Sequence, residues 1–331
     1  MVTQSVAKSR KAMQSGDEPR LISAKDVTMV LALPFWTTLG WFFPDRLCLA
    51  VSRALVWAMW RVNRRRYAEY SGIFHGLLGG RRSEAEIDSI VRETASLRHF
   101  ERFLLLRFYR PWGWQPRTRL EGREHIEAAL KEGHGVILWM KPAAFADVMT
   151  KVTCHQAGYD AYHLSRHTHG GFSVTRFGLR FLNTIRTRIE RRNLAQRVMI
   201  VPEDPRAAID QLVQRLSENR VVSITVGAEA KRVTQVPFLD STIPLAGGAA
   251  NLAIKTGAPI LPIFTERRPD GSFLTTVEPP LRVPAEGSQG ERITAILSQF
   301  PAVMEPYFLR LPEQYDNLGL HRTARRLQQE S

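Results

Sequence analysis

Cysteine is nearly absent. The 331 residues hold only Cys48 and Cys154. That excludes a disulfide framework and a zinc site built from several thiolates, and it permits a reducing compartment. Acid is also in short supply. Lys and Arg number 46 against 32 Asp and Glu, which leaves a net charge of +14. Such a surface favours nucleic acid, acidic lipid or a small anionic substrate. No glycine-rich phosphate loop and no Gly-x-Ser-x-Gly elbow occur, so nucleotide hydrolysis and serine-hydrolase chemistry lack their motifs. Zinc-finger, RNP-type and basic-helix patterns are missing too, so no nucleic-acid partner is expected. The chain also lacks the long apolar runs of a polytopic membrane protein. Its hydrophobic content of 44% and charged content of 24% are those of a folded protein with a sizeable core.

The pattern along the chain divides it into five parts. Residues 1–25 are polar and basic, with no apolar signal-peptide core, and are expected to be a disordered tail. Residues 26–66 hold two apolar runs. The first, Val27 to Phe43, has no charge, contains Pro34, and carries Phe35, Trp36, Trp41, Phe42 and Phe43. The second, Leu47 to Val62, is broken by Arg53 and closes on Arg61, Asn63, Arg64, Arg65 and Arg66. A span needs roughly 20 apolar residues. A membrane-associated helical hairpin at the lipid surface therefore fits better than a true span or a helical lid on a core. The arginines suit anionic headgroups. Residues 67–117 read as a helical linker region. Gly72, Gly76, Gly79 and Gly80 mark a linker over 67–82. Ser83 to Glu86 has capping-box spacing and opens a helix with an apolar face of Ile87, Ile90, Val91, Leu97, Phe100, Phe103 and Leu104.

Residues 118–310 alternate strand-like and helix-like segments. Strands are expected at 135–140, 160–164, 197–201, 221–226, 259–264 and 273–277, with helices at 207–216 and 248–256. This predicts an α/β fold, a mixed central sheet flanked by helices, joined to the N-terminal membrane-associated helical segment. Residues 311–331 read as a loose basic C-terminal tail.

Four segments carry a resemblance. They are Leu120 to Leu130, Gly133 to Leu138, Val236 to Leu239, and Ala249 to Pro262, continued by Arg267-Arg268-Pro269-Asp270-Gly271 and Glu278-Pro279-Pro280-Leu281. In order and spacing they resemble the late lipid A acyltransferases, the lauroyl- and myristoyl-transferring branch of the lysophospholipid acyltransferase superfamily. The resemblance covers roughly residues 30–315. It implies a peripheral or monotopic protein on the cytoplasmic face of an inner membrane. It also implies transfer of a fatty acyl chain from acyl carrier protein or acyl-CoA to a hydroxyl of a glycolipid, with no cofactor and no metal. The expected motif is a histidine, four residues, then an acid, directly after the first core strand. Chemically, the histidine takes the hydroxyl proton during attack on the thioester, and the carboxylate orients the imidazolium.

The sequence departs from that motif. After the strand comes Met140-Lys141-Pro142-Ala143-Ala144-Phe145-Ala146-Asp147. Asp147 keeps the acid position. Pro142 takes the histidine position, with no titratable group and no backbone N–H. After the strand at 221–226, where the family has Pro-Asp-x-Asp, only Glu229 preserves an acid. A literal His-x4-Asp, His155 to Asp160, lies at the far end of the following helix and reads as an exposed loop. The catalytic candidates are therefore Asp147, Glu229 and a displaced base, His167 or His169. Candidate substrate contacts are Lys141, Arg166, His169, Arg176 and Arg180. Lys141 can pair with Asp147 or, if buried, shift its pKa and act as a base. The arginine-rich stretch from Arg166 to Arg197 contains the single acid Glu190, and reads either as a cradle for a phosphorylated headgroup or acidic carrier, or as a solvated basic face.

Two functions follow. One is an acyltransferase with a non-standard active site, acting on a hydroxyl or amine of a membrane glycolipid or phospholipid. The other is a catalytically inactive member of the fold that binds lipid or acyl carrier.

Overall fold

The structure, a computed structural model, describes residues 20–166, 171–201, 204–227 and 233–315. Its centre is a seven-stranded sheet: β1 (Thr118–Glu121), β2 (Val136–Met140), β3 (Tyr162–Arg166), β4 (Gln196–Ile200), β5 (Val221–Thr225), β8 (Ile260–Arg267) and β9 (Phe273–Val277), in spatial order β1-β9-β8-β2-β5-β3-β4. Strands β8, β2, β5, β3 and β4 run parallel, while β9 pairs antiparallel with β8 and β1 runs parallel to β9. A separate hairpin joins β6 (Val233–Phe238) to β7 (Ser241–Ala246).

β2 lies in the middle, and all five of its residues are buried. Alternation sends Ile137 and Trp139 to one face, and Val136, Leu138 and Met140 to the other. Helices α8 (Pro205–Ser217), α9 (Gly248–Thr256) and α10 (Gln289–Arg310) cover the first face; α5 (Arg123–Lys131) and α6 (Ala146–Gln156) cover the second. A parallel sheet covered on both sides accounts for the near-continuous apolar reading of β2. Strand β3 lies two residues later than the sequence pattern suggests, and the other strands expected in the α/β part are present.

The N-terminal part is helical throughout: α1 (Ala24–Phe42), α2 (Asp45–Val62), α3 (Arg64–Leu78) and α4 (Glu84–Arg107). α1 and α2 both pack against α4. Pro34 does not end α1. It lies on the exposed side, where the carbonyl it leaves unpaired is not buried in protein. The glycine-containing stretch read as a linker is instead α3, because Tyr70, Ile73, Phe74, Leu77 and Leu78 form one buried face that outweighs the low helix propensity of Gly72 and Gly76. Among the described residues, no helix is long and apolar enough to cross a membrane. At the other end, Leu311 to Tyr315 are packed rather than loose: Gln314 and Tyr315 are buried.

One charge ties these parts together. Asp45, at the start of α2, pairs with Arg107 of α4 and with Arg267 at the end of β8, the latter at 2.5 Å. Arg107 also donates through Nε to Gly40 O at 2.9 Å and through Nη2 to Phe43 O at 3.0 Å, closing the α1–α2 corner. Burial alone would raise the Asp45 pKa, but the two guanidinium groups more than offset it and hold the carboxyl below its usual 3.8. Asp45→Asn is expected to cost about 2 kcal/mol in denaturant unfolding, less than a fully buried pair because Asp45 is partly exposed. Since the folded carboxyl stays charged to lower pH than the unfolded one, this contribution is present above about pH 4 and is lost as pH falls below it. A wild-type minus Asp45→Asn stability difference that does not shrink on acidification contradicts the assignment.

Candidate active site

The site lies at the carboxyl end of β2, where open α/β sheets place ligands. The connection to α6, Lys141 to Phe145, is mostly buried. Its last residue, Phe145, adopts φ 70°, ψ −25° as the N-cap of α6. For a bulky side chain this conformation costs of order 1–3 kcal/mol and persists only where the surroundings over-determine it. Here the Phe145 ring meets Phe100 and Phe273 edge-on at 6.0 and 5.8 Å. The turn is also tied from the C-terminal end: Ala144 N–H donates to Gln314 O at 2.8 Å. The Gln314 side chain accepts from Arg267 N–H at 2.8 Å and donates to Arg267 O at 2.9 Å.

Asp147 follows in the first turn of α6, where the helix dipole favours a carboxylate. Its partner is Arg186, on α7 (Thr184–Arg192), whose Nη1 donates to Asp147 Oδ2 at 2.8 Å. The other arm of the same guanidinium, Nη2, donates to Glu101 Oε1 of α4 at 3.1 Å. Burial disfavours the charge on Arg186, but Glu101, Asp147 and Glu190 more than offset it and raise its pKa. Burial pushes the Glu101 carboxyl up, with Arg186 opposing. Lys141, itself buried, directs Nζ to Pro142 O at 2.7 Å. A guanidinium keeps its proton at any ordinary pH. Arg186 is therefore a standing positive charge beside Asp147, and the 141–147 loop supplies no imidazole.

The remaining candidates divide. His167, His169 and Glu229 lie outside the described residues; they follow β3 and β5, whose carboxyl ends lie on the same edge of the sheet as that of β2. Arg166 ends β3. Arg176 and Arg180 are exposed around a π-helical turn at Gly178–Leu182, with Arg180 lying 5.8 Å over the Phe181 ring. His155 and Asp160 meet at 2.6 Å, both well exposed, as a surface pair away from this loop. Cys48 and Cys154 are free and buried, and burial pushes the Cys154 thiol up to about 12. Among the described residues no group of His, Cys, Asp and Glu could hold a metal. Glu101 and Arg186 were not singled out from the sequence. Their signals were present: Glu101 lies four residues after Leu97 on the apolar face of α4, and Arg186 belongs to the arginine-rich stretch.

The profile of one family, described as bacterial lipid A biosynthesis acyltransferase, matches residues 16–318. The chain belongs to that family. No match is found among curated protein sequences. Among solved structures, the 1-acyl-sn-glycerophosphate (LPA) acyltransferase PlsC from Thermotoga maritima is similar over 74% of this chain and 98% of that one, at 12% identity and a TM-score of 0.35. In this member the strand-to-helix turn after β2 carries Pro142 and leads to Asp147, which Arg186 binds.

Arg186→Met would leave Glu101 and Asp147 without their shared counter-charge, and is expected to cost about 3–5 kcal/mol in denaturant unfolding. Arg186→Lys should recover only part of that, because one ammonium does not reproduce the fork that spans two carboxylates. Equal stability of wild type and Arg186→Met contradicts the network.

Proposed function

We propose that the protein transfers a fatty acyl chain from a thioester donor, acyl carrier protein or acyl-CoA, to a hydroxyl or amine of a membrane glycolipid or phospholipid, with a non-standard active site. Family membership supports acyl transfer to lipid in general. The observation that carries the finer reading is Asp147, on the first turn of α6 beyond the central strand, in the family's acid position. In this reading the acceptor oxygen attacks the thioester carbonyl while His167 or His169 takes its proton. The C–S bond then breaks and the thiolate leaves with that proton. Arg186 keeps Asp147 charged and fixed. Glu229, after β5, is the second acid of the site.

The purified full chain is tested with labelled acyl carrier protein or acyl-CoA and a lipid acceptor. Replacing the true base, His167→Ala or His169→Ala, should lower turnover by about 10²–10⁴. Asp147→Asn should lower it as well. Undiminished turnover in all three variants contradicts the assignment.

A second reading has its own observation. Pro142 stands in the histidine position while Arg186 occupies Asp147, which favours a member that binds lipid or acyl carrier without turnover. Lipid binding with no transfer by the wild type would select it.

The same proposal places the protein at the cytoplasmic face of the inner membrane, on the membrane surface through α1 and α2. Large apolar side chains stand exposed there, among them Leu31 at 75%, Phe35 at 54%, Phe42 at 66% and Trp57 at 50%. Val30, Pro34, Trp41 and Phe42 line an open apolar groove on α1 of about 490 Å³. Arg61 lies 4.0 Å over the Trp57 ring, a pairing of cation and amphipathic ring suited to headgroup depth. Phe35→Ser with Phe42→Ser should weaken partition onto anionic vesicles by about tenfold or more, given about 1.5–3 kcal/mol per buried ring. Unchanged partition removes this face as the contact.

A further inference from the structure

A buried knot of polar groups fastens the start of α1 to the segment that follows β3. Asp26, in the first turn of α1, is fully buried and accepts from Thr175 Oγ1 at 2.8 Å and from Ser23 Oγ at 2.7 Å. Lys25 Nζ donates to Phe172 O at 2.7 Å. Just before the helix, Arg20 O and Leu21 O accept from the backbone N–H groups of Arg176 and Phe177, each at 3.0 Å. From the other side, buried Asn183 accepts from the N–H groups of Phe172 and Ser173 at 3.2 and 3.0 Å, and donates to Ser173 O at 2.9 Å. Thr175 Oγ1 also accepts from Gly178 N–H at 3.0 Å. A side chain at Gly178 would strike Ser173, so only glycine allows this close packing. Residues 20–22 and the π-helical turn Gly178–Leu182 are thereby held as one piece.

That piece turns apolar tips to solvent. Leu21 is 70% exposed, Ile22 47% and Phe181 54%. They are joined through Phe177, whose N–H binds Leu21 O and whose ring lies 5.0 Å from that of Phe181. Arginines rim the tips. Arg20, Arg176 and Arg180 are exposed, and the Arg180 guanidinium lies 5.8 Å over the Phe181 ring. Residues 20–22 and 176–181 contain no acid. A lone apolar residue on a surface needs no explanation, but a cluster drawn from two segments and rimmed by polar groups marks an interaction site. An acidic protein would engage the arginines alone. An anionic lipid surface engages both parts, rings at the acyl boundary and guanidinium groups at headgroup depth. Leu21 and Ile22 also lead directly into the exposed apolar face of α1, which begins with Val27, Val30 and Leu31.

We propose that Leu21, Ile22 and Phe181, with Arg180, form a second insertion point into an anionic lipid surface. It rests on the membrane-surface reading above and extends it. The contact lies outside the N-terminal helix pair, on the connection that leaves β3, so the α/β part itself touches lipid. The knot around Asp26 holds the tips in place beforehand, which lowers the ordering cost of the contact.

The test uses the full-length protein and vesicles of phosphatidylcholine with and without phosphatidylglycerol. Both native thiols are buried, so Phe181→Cys can be labelled at that position with a polarity-sensitive dye. Its emission should shift to the blue on anionic vesicles and be quenched by lipids brominated along the acyl chain. Leu21→Ser with Phe181→Ser should weaken partition by about tenfold or more. Arg180→Gln should weaken it by about fivefold on anionic vesicles only, an effect lost at high salt. Arg282→Gln, an exposed arginine elsewhere, should change it less. The dye carries the test if the double variant does not fold. Three results overturn the proposal: a dye that stays in water on bound protein, a dye already shielded without lipid, or equal losses in Arg180→Gln and Arg282→Gln. If Phe35→Ser with Phe42→Ser weakens partition and Leu21→Ser with Phe181→Ser does not, the second contact falls and the membrane-surface reading stands. No partition by the wild type removes both.

Discussion

The guanidinium of Arg186 sits between carboxylates drawn from two other helices, Glu101 on α4 and Asp147 on α6. Much of the site depends on that contact. It ties α4, α6 and α7 together on one face of the sheet. It also decides the chemistry available to Asp147. An imidazole partner could exchange a proton with substrate, whereas a guanidinium cannot at neutral pH. Asp147 thus stands beside a fixed positive charge at the start of α6.

A second constraint runs through Arg267. Its side chain holds Asp45 at the start of α2, its guanidinium lies 5.2 Å over Phe100, and its backbone N–H and C=O are both bound by the Gln314 side chain. Gln314 in turn accepts from Ala144, beside the left-handed Phe145. One residue at the end of β8 thus joins the N-terminal helices, the C-terminal segment and the strained turn that starts α6. The turn is held in its conformation by contacts far away in sequence, which is how such strain survives in a folded protein.

That distance explains what the sequence could and could not disclose. Local pattern was enough for the central strand, for α9, for β9, and for the position of Asp147 just beyond β2. Each depends on alternation, a helix face or a turn signal within a few residues. Helix α3 was hidden because its glycines speak locally for a linker, and the face that overrules them needs a partner surface to have meaning. The packed residues 311–315 were hidden for the same reason. Nothing near Gln314 reveals that it will bond to Arg267 and Ala144. Arg186 stood out only as one arginine in a basic stretch; its distinction from Arg180 is burial between two acids, a property of the assembled helices. Glu101 was the more readable omission, an acid on a face otherwise made of leucine and phenylalanine.

The most direct measurement of the central claim is the coupling energy between Arg186 and Asp147, from a double-mutant cycle of Arg186→Met and Asp147→Asn read by denaturant unfolding. If the arginine is the resident partner of the acid, the two changes are non-additive by about 0.5–3 kcal/mol. Additive losses would contradict the account, because Asp147 would then be held by something other than the charge assigned to it.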